Sequence, residues 1–173
     1  MFDNFKGDLN RYSELGSKTV YLIFEQGLWA IAVYRFGRSV RKIRIPVVSH
    51  LLKIIAFLLF KLTEFCTGIS LPASAQIGKG FYVGHFGGII LHSDVKMGIN
   101  CSIGPGVLIG TRGQGSKGVP CIGDNVYIGV GARILGGIKI GNNACIGANA
   151  VVIRDVPDGV TAVGIPARIV RKS

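Results

Sequence analysis

Ile122-Gly-Asp-Asn-Val-Tyr-Ile128-Gly-Val-Gly-Ala-Arg-Ile134-Leu-Gly-Gly-Ile-Lys-Ile140 carries an isoleucine at every sixth position. The same spacing occurs upstream and continues downstream, with one cysteine among aliphatic residues. The whole series is Leu71, Ile77, Val83, Ile89, Val95, Cys101 and Val107, then Ile122, Ile128, Ile134, Ile140, Ile146 and Val152. A period of six fits neither the helical period of 3.6 nor the period of two of a long strand. It fits a short strand and a turn that repeat around a triangular prism.

Three six-residue sides of such a prism make one coil of 18 residues. We expect the aliphatic residue to point to the prism axis, the small residue four places later to fit a corner, and the glycine after the aliphatic residue to permit unusual backbone angles. Stacked coils lie about 4.8 Å apart, the spacing of paired strands. The sequence therefore predicts a mainly β protein with a parallel β-helix over residues 67–173, a little over four coils high.

The repeat is interrupted once. Val107 and Ile122 are fifteen residues apart rather than twelve, and the intervening stretch is rich in glycine and polar residues. This predicts a loop of about 111–121 that is extruded from a coil, where binding residues tend to lie. A tolerated surface insertion is the alternative.

Residues 1–66 lack the repeat and form an N-terminal α-helical segment in our prediction, with helices at about 7–16, 18–43 and 47–66. The last includes the apolar run Ile54–Phe60, which is shorter than the about 20 residues that span a bilayer. We expect a buried packing helix there.

Peripheral membrane contact is the alternative for this segment. Its support is a group of basic residues directly before the apolar helix, since basic and apolar surfaces together bind anionic leaflets. These residues are Arg35, Arg38, Arg41, Lys42 and Arg44.

The chain has a formal net charge of +11, which favours anionic partners. The excess of basic residues is divided evenly between residues 1–66 and 67–173, so we expect no nucleic-acid partner. The four cysteines show no CxxC spacing, and the N-terminus lacks the basic start of an export signal. These features predict reduced thiols and a cytoplasmic location, with the inner face of the membrane as the peripheral option.

Three stretches resemble the hexapeptide-repeat acyltransferases, and most closely their serine acetyltransferase branch. They are Ile77-Gly-Lys-Gly-Phe-Tyr-Val-Gly-His85, Ile128-Gly-Val-Gly-Ala-Arg-Ile-Leu-Gly136 and Val163-Gly-Ile-Pro-Ala-Arg-Ile-Val-Arg-Lys172. The resemblance implies a left-handed β-helix, a homotrimer and acetyl-CoA as the acyl donor. It implies no metal.

The resemblance makes His85 the general base that deprotonates an acceptor hydroxyl. An imidazole titrates near neutrality, so it can take that proton and return it to the departing thiolate. In serine acetyltransferases an acidic residue fifteen places earlier orients the histidine, and here that residue is Ser70. A hydroxyl can accept the imidazole N–H but stabilises an imidazolium less than a carboxylate does. No family role is implied for His92 or His50.

The resemblance also places acetyl-CoA along the groove between neighbouring β-helices. Small side chains that stack one coil above another would leave room for the pantetheine arm, and basic residues near the C-terminus would contact its phosphates. The predicted cofactor-binding residues are Gly129, Gly131, Ala132, Gly147, Ala148, Ala150, Arg168, Arg171 and Lys172.

The residues that hold an amino-acid acceptor in serine acetyltransferases are replaced by Gly84, Gly118 and Val119. A zwitterion would lose charged partners at both ends, which is costly in a closed site. The Gly-His-Phe-Gly-Gly stretch at 84–88 is similar to shorter relatives of polysaccharide synthesis, so we predict a sugar hydroxyl as the acceptor. The alternatives are a serine O-acetyltransferase of cysteine biosynthesis and a non-catalytic trimeric scaffold. A metal enzyme of the carbonic anhydrase type would need three histidines around one cleft, and the repeat contains two.

Overall fold

Three helices precede a left-handed parallel β-helix. The computed structural model describes residues 2–14, 24–113, 115 and 118–170. The helices are α1 (Phe2–Glu14), α2 (Gln26–Val40) and α3 (Pro46–Thr67). The strands are β1 (Ile69–Ser70), β2 (Gln76–Ile77), β3 (Tyr82–Val83), β4 (Ile89–Leu91), β5 (Lys96–Met97), β6 (Ser102–Ile103), β7 (Leu108–Gly110), β8 (Cys121–Ile122), β9 (Tyr127–Ile128), β10 (Arg133–Leu135), β11 (Lys139–Ile140), β12 (Cys145–Ile146), β13 (Val151–Val152), β14 (Thr161–Val163) and β15 (Arg168–Val170).

Three parallel sheets form the sides of the prism, which confirms the predicted β-helix. Their strand orders are β1-β4-β7-β10-β13, β2-β5-β8-β11 and β3-β6-β9-β12-β14. β15 is the exception, because it pairs antiparallel with β14 and covers the C-terminal edge of the third sheet. Each two- or three-residue strand is followed by a corner, and this alternation is the origin of the six-residue period.

The prism interior holds every residue of the predicted aliphatic series, each at most 4% exposed. The register differs from the prediction in the middle of that series. The strand positions that stack on Val83 and Ile128 are those of Ile103, and the neighbouring Cys101 fills a corner. Ile89, Val95 and Val107 are likewise displaced by two positions, in favour of Leu91, Met97 and Ile109. The reason is a long turn after β3, which makes this coil 20 residues rather than 18.

The corners of the prism use left-handed backbone conformations, but not at the predicted glycines. Asn143 has φ 56° and Gly131 has φ 70°, whereas Gly78 and Gly129 follow an inward residue without a positive φ. Glycine is required at 129 for a different reason: a Cβ there would lie 2.7 Å from the backbone nitrogen of Ala148 in the next coil. The predicted angular freedom therefore belongs to other corner residues, and Gly129 serves close stacking.

Two tyrosines cover the open N-terminal edge of the prism. The Tyr34 hydroxyl donates to the Ala75 carbonyl (2.9 Å) and accepts from the Ile77 amide (3.0 Å). Tyr12 makes the same pair of bonds with the amide and carbonyl of Val83. An unpaired strand edge would expose backbone groups to other chains, so the helical segment terminates the stack.

A buried ion pair attaches the helices to this edge. The Arg35 guanidinium donates to both carboxylate oxygens of Asp8, at 2.8 and 3.1 Å, and the two side chains are 3% and 0% exposed. Arg35 also donates to the carbonyls of Ile77 and Gly78, while Asp8 accepts from the Phe81 amide. The pair thus connects α1, α2 and the first coil.

The expectation of a buried packing helix over 47–66 is wrong. Helix α3 is 22 residues long with a mean hydropathy of 1.6, sufficient in length and composition to cross a membrane, and only 6% of its apolar window is buried. Its buried residues are Ser49, Ala56 and Thr67. The reason is geometric: α2 and the first coil occupy only one side of α3.

The other helices also depart from their predicted bounds. Helix α1 begins five residues before the predicted start at 7, and α2 covers 26–40 of the predicted 18–43. The predicted helical positions 15, 16 and 18–23 lie outside the described residues.

Candidate active site

His85 lies in the long turn that connects β3 to β4. Gly87 and Gly88 have φ values of 101° and 65°, and the Gly87 amide donates to the Thr67 carbonyl at the end of α3. The turn is therefore shaped by two glycines and fixed to the helical segment. The His85 side chain is exposed, and the imidazole makes no hydrogen bond within the described part of the chain. It is available to an acceptor.

The N-terminus of α2 forms the other side of a cavity of about 380 Å³ beside His85. Phe24, Glu25, Gln26 and Gly27 line it together with His85 and Phe86. Both phenylalanines are exposed, at 73% and 59%. The buried side-chain oxygen of Gln26 has no hydrogen-bond partner among the described residues. The cavity thus combines a base, a carboxylate, a free amide oxygen and two aromatic faces.

Gly27 allows α2 to approach the prism this closely. A Cβ at Gly27 would lie 2.7 Å from both the Tyr12 hydroxyl and the Val83 carbonyl. Burial is the main cause that raises the pKa of Tyr82, and the Glu25 carboxylate adds to the rise. These contacts hold Glu25 near β3, two residues before His85. The sequence gave no signal for this carboxylate, because the neighbours of a helix N-terminus are set by long-range packing.

Ser70, the predicted partner of His85, lies in β1 opposite Ile90 of β4. Among the described residues, no hydrogen bond joins its hydroxyl to the imidazole. Its nearest charge is Glu64, whose pKa is lowered by the Lys61 ammonium and then by the Ser70 hydroxyl. The structure therefore does not support a His85–Ser70 pair.

A column of glycines runs from His85 along one corner of the prism. The strand register stacks Gly84, Gly104, Gly129 and Gly147, and each amide donates to a carbonyl of the next coil at 2.8–3.0 Å. Val163 follows Gly147, since a Cβ at 147 would lie 2.7 Å from the Val163 Cγ1. Four steps of about 4.8 Å give a shallow groove about 19 Å long.

Two of the predicted cofactor-binding residues fall outside this groove. Ala132 and Ala150 are 0% exposed and belong to the core, where the corner requires small side chains. A residue without accessible surface cannot contact a cofactor, so that part of the prediction is wrong. Ala148, next to Gly147, is exposed, and Gly131 is half-buried at the following corner.

Arg168 lies at the far end of the groove. It is exposed in β15 and pairs with Val163, the last member of the column. Arg171 and Lys172 lie outside the described residues, so their predicted role stays a prediction. His92 is remote in function as well as in sequence: its Nδ1 accepts from the Asp94 amide (3.2 Å) within its own turn.

The extruded loop occupies the described positions between β7 and β8. Arg112 donates to the carbonyls of Leu135 and Ile153, in the two coils that follow. Gly118 approaches Gly137 so closely that a Cβ at 118 would lie 2.9 Å from its Cα. The loop is thus held against the prism, and its uncharged Gly118 and Val119 agree with the sequence-based description of the acceptor side.

Comparison with known proteins assigns the geometry to a family. Residues 122–154 match the family described as bacterial transferase hexapeptide (six repeats). A serine acetyltransferase of Helicobacter pylori is 35% identical over 157 residues, which cover 90% of this chain and 88% of that protein. The chain belongs to the serine acetyltransferase family. A serine acetyltransferase of Synechococcus elongatus is 36% identical over 153 residues, 88% of this chain, but the match spans only 60% of that protein.

The likeness extends to solved members of the serine acetyltransferase family. The enzyme of Brucella abortus in complex with coenzyme A superposes with a TM-score of 0.84 at 29% identity, over 99% of this chain and 68% of that one. The printed relatives are serine acetyltransferases, and they do not support the polysaccharide branch that the 84–88 stretch suggested.

Proposed function

We propose that this chain is an acetyl-CoA-dependent O-acetyltransferase with His85 as the general base. The observation that carries the proposal is an exposed imidazole at the head of the glycine column, in a member of the serine acetyltransferase family. An exposed imidazole without a hydrogen-bond partner among the described residues is free to receive a proton from an acceptor hydroxyl.

The reaction follows from this placement. His85 takes the proton from the acceptor hydroxyl while its oxygen attacks the thioester carbonyl carbon. The C–S bond then breaks, and the thiolate of CoA takes the proton back from the imidazolium. Backbone N–H groups facing the groove stabilise the oxyanion between the two steps. The acetyl group ends on the acceptor oxygen, and no other reactant is consumed.

Acetyl-CoA is the donor in this proposal, with its pantetheine arm along the glycine column and its phosphates at Arg168. A relative solved with coenzyme A supports the donor. The side chains that face this corner are absent or small, which leaves backbone groups open to the arm. We further propose that a homotrimer completes the groove, as the resemblance implies.

Glu25 supplies the carboxylate that position 70 lacks. It lines the same cavity as His85, whereas the Ser70 hydroxyl lies near Glu64. A carboxylate beside an imidazole favours the protonated form that arises during the reaction. Glu25 therefore acts as a positioning residue for the base.

L-serine is the acceptor that the relatives favour, and it is the first candidate. A sugar hydroxyl is the second candidate, because Gly84, Gly118 and Val119 offer no charge to a zwitterion. The two exposed aromatic side chains, Phe24 and Phe86, also offer apolar faces at the mouth of the cavity.

A thiol-release assay with acetyl-CoA tests the proposal, with L-serine and with sugar acceptors in parallel. His85→Ala should lower turnover by about 10²- to 10⁴-fold, the range for loss of a general base. His92→Ala is the matched control and should retain turnover. CoA binding without transfer to any acceptor that depends on His85 would favour the non-catalytic scaffold.

Glu25→Gln tests the positioning role. It should lower kcat more than it raises KM, and it should shift the acidic limb of the pH profile to lower pH, because the imidazolium loses its neighbouring carboxylate. An unchanged pH profile would contradict that role while leaving His85 as the base.

A further inference from the structure

The outer face of α3 is an uncovered apolar surface. We define the α3 stripe as six residues spaced by three or four along the helix, which places them on one face. They are Val47, Leu51, Ile54, Leu58, Leu62 and Phe65, each between 59% and 89% exposed. Contiguous apolar patches of this kind are rare on proteins that have no partner for them.

We propose that the α3 stripe docks this protein in the plane of a membrane whose surface carries anionic lipid headgroups. The first argument is charge. No acidic residue occurs between Glu25 and Glu64, whereas basic residues occur throughout that stretch. Arg35 is used in the buried pair with Asp8. The remainder are Arg38, Arg41, Lys42, Arg44, Lys53 and Lys61.

The same charges disfavour a second copy of the chain as the occupant. Stripes from two copies that packed together would bring their basic side chains close without acidic partners from the same stretch. Anionic headgroups neutralise these side chains while the acyl region accepts the stripe.

A second observation is a pair of cations at an apolar cavity. Arg41 and Lys53 line a common surface depression, and both also border a cavity of about 320 Å³ between α2 and α3. Val40, Phe57 and Phe60 contribute apolar lining. A phosphate headgroup fits the cations, and the start of an acyl chain fits the apolar wall.

The helix lies along the membrane rather than through it. One side of α3 packs against α2, with Ser49 and Ala56 buried. Lys53 lies near the middle of the helix, where a spanning orientation would place its charge in the hydrocarbon core. An in-plane helix keeps the charges at headgroup level and buries only the stripe.

Vesicle flotation with the full chain tests this docking surface and needs no acetyl acceptor, so it is independent of the proposed reaction. The chain should float with vesicles of phosphatidylcholine and phosphatidylglycerol, and much less with phosphatidylcholine alone. High salt should reduce flotation about tenfold, because it screens the headgroup attraction. Absence of flotation with anionic vesicles would overturn the proposal.

Leu58→Glu should abolish flotation, and Arg41→Gln with Lys53→Gln should weaken it selectively on anionic vesicles. The matched control is Ile90→Glu, which alters a half-exposed apolar residue on the prism and should float like the unmodified chain. Circular dichroism checks that the variants fold. Unchanged flotation of Leu58→Glu contradicts the proposal. A smaller molar mass of Leu58→Glu in light scattering also contradicts it, since the stripe would then join copies of the chain.

Discussion

The β-helix and the helical segment are stabilised in different ways. In the β-helix, equivalent inward residues meet equivalent residues of the next coil, so stabilisation is spread over many similar contacts. The helical segment is attached by a few polar groups at one edge of the stack: Asp8, Tyr12, Tyr34 and Arg35. One region should therefore tolerate local damage that the attachment of the other does not.

Arg35→Ala gives the largest expected effect. It leaves the Asp8 carboxylate buried without its partner, and loss of one member of a buried ion pair costs about 3–5 kcal/mol. Urea denaturation measures the change in the free energy of unfolding. Arg41→Ala, at an exposed site, should change it by about 0.5 kcal/mol or less. A similar result for both variants would remove the distinction between the two regions.

Ile128→Ala is the corresponding change in the β-helix. Ile128 is 0% exposed, so the cavity should cost about 2–5 kcal/mol. Ile90→Ala, at a residue 50% exposed, is the control and should cost less than half as much. Hydrogen exchange should locate the lost protection in β6, β9 and β12 while the helices keep theirs. Uniform loss across the chain would contradict nearest-neighbour stabilisation.

Tyr34→Phe sharpens the comparison at the junction. It removes one hydroxyl that serves both the Ala75 carbonyl and the Ile77 amide, and leaving buried backbone groups unsatisfied costs about 1–3 kcal/mol. Ser39→Ala, which removes a hydroxyl that bonds only within α2, is a suitable control. Thermal unfolding of the two variants gives the difference; equal stability would show that the edge needs no cover.

Asn143→Ala gives the smallest effect. Asn143 has φ 56°, and an alanine there should cost about 1–2 kcal/mol. Asn143→Gly should be neutral within about 0.5 kcal/mol, because glycine adopts this conformation freely. Chemical denaturation of the pair isolates the backbone contribution from the side chain. Equal losses in both variants would point to the asparagine side chain instead.

The β-helix could be predicted from the sequence because its determinant is local. Each inward residue recurs after six positions, and even the extruded loop was visible as a break in that count. The exact register was not predictable between Ile89 and Val107, since the extra turn residues leave a six-residue spacing in place while moving it from the strands to the corners. Both positions are apolar, so the pattern alone cannot separate them.

The site was predictable only in part. His85 and the glycines at 129 and 147 follow from the repeat and the resemblance, and the structure aligns them along one corner. Glu25 was missed because it approaches His85 through the packing of α2, 60 residues away in sequence. The exposure of α3 was missed for the same reason: hydropathy does not state whether another element covers a helix.

The turn at 84–88 has a consequence beyond catalysis. Its extra residues alter only where one coil meets the next, and the stack above resumes its ordinary 18-residue spacing. A lineage could therefore exchange this short cassette, and with it the acceptor, without rebuilding the scaffold that holds the donor. Evolution of new specificities on this architecture would then proceed by replacing corners rather than walls.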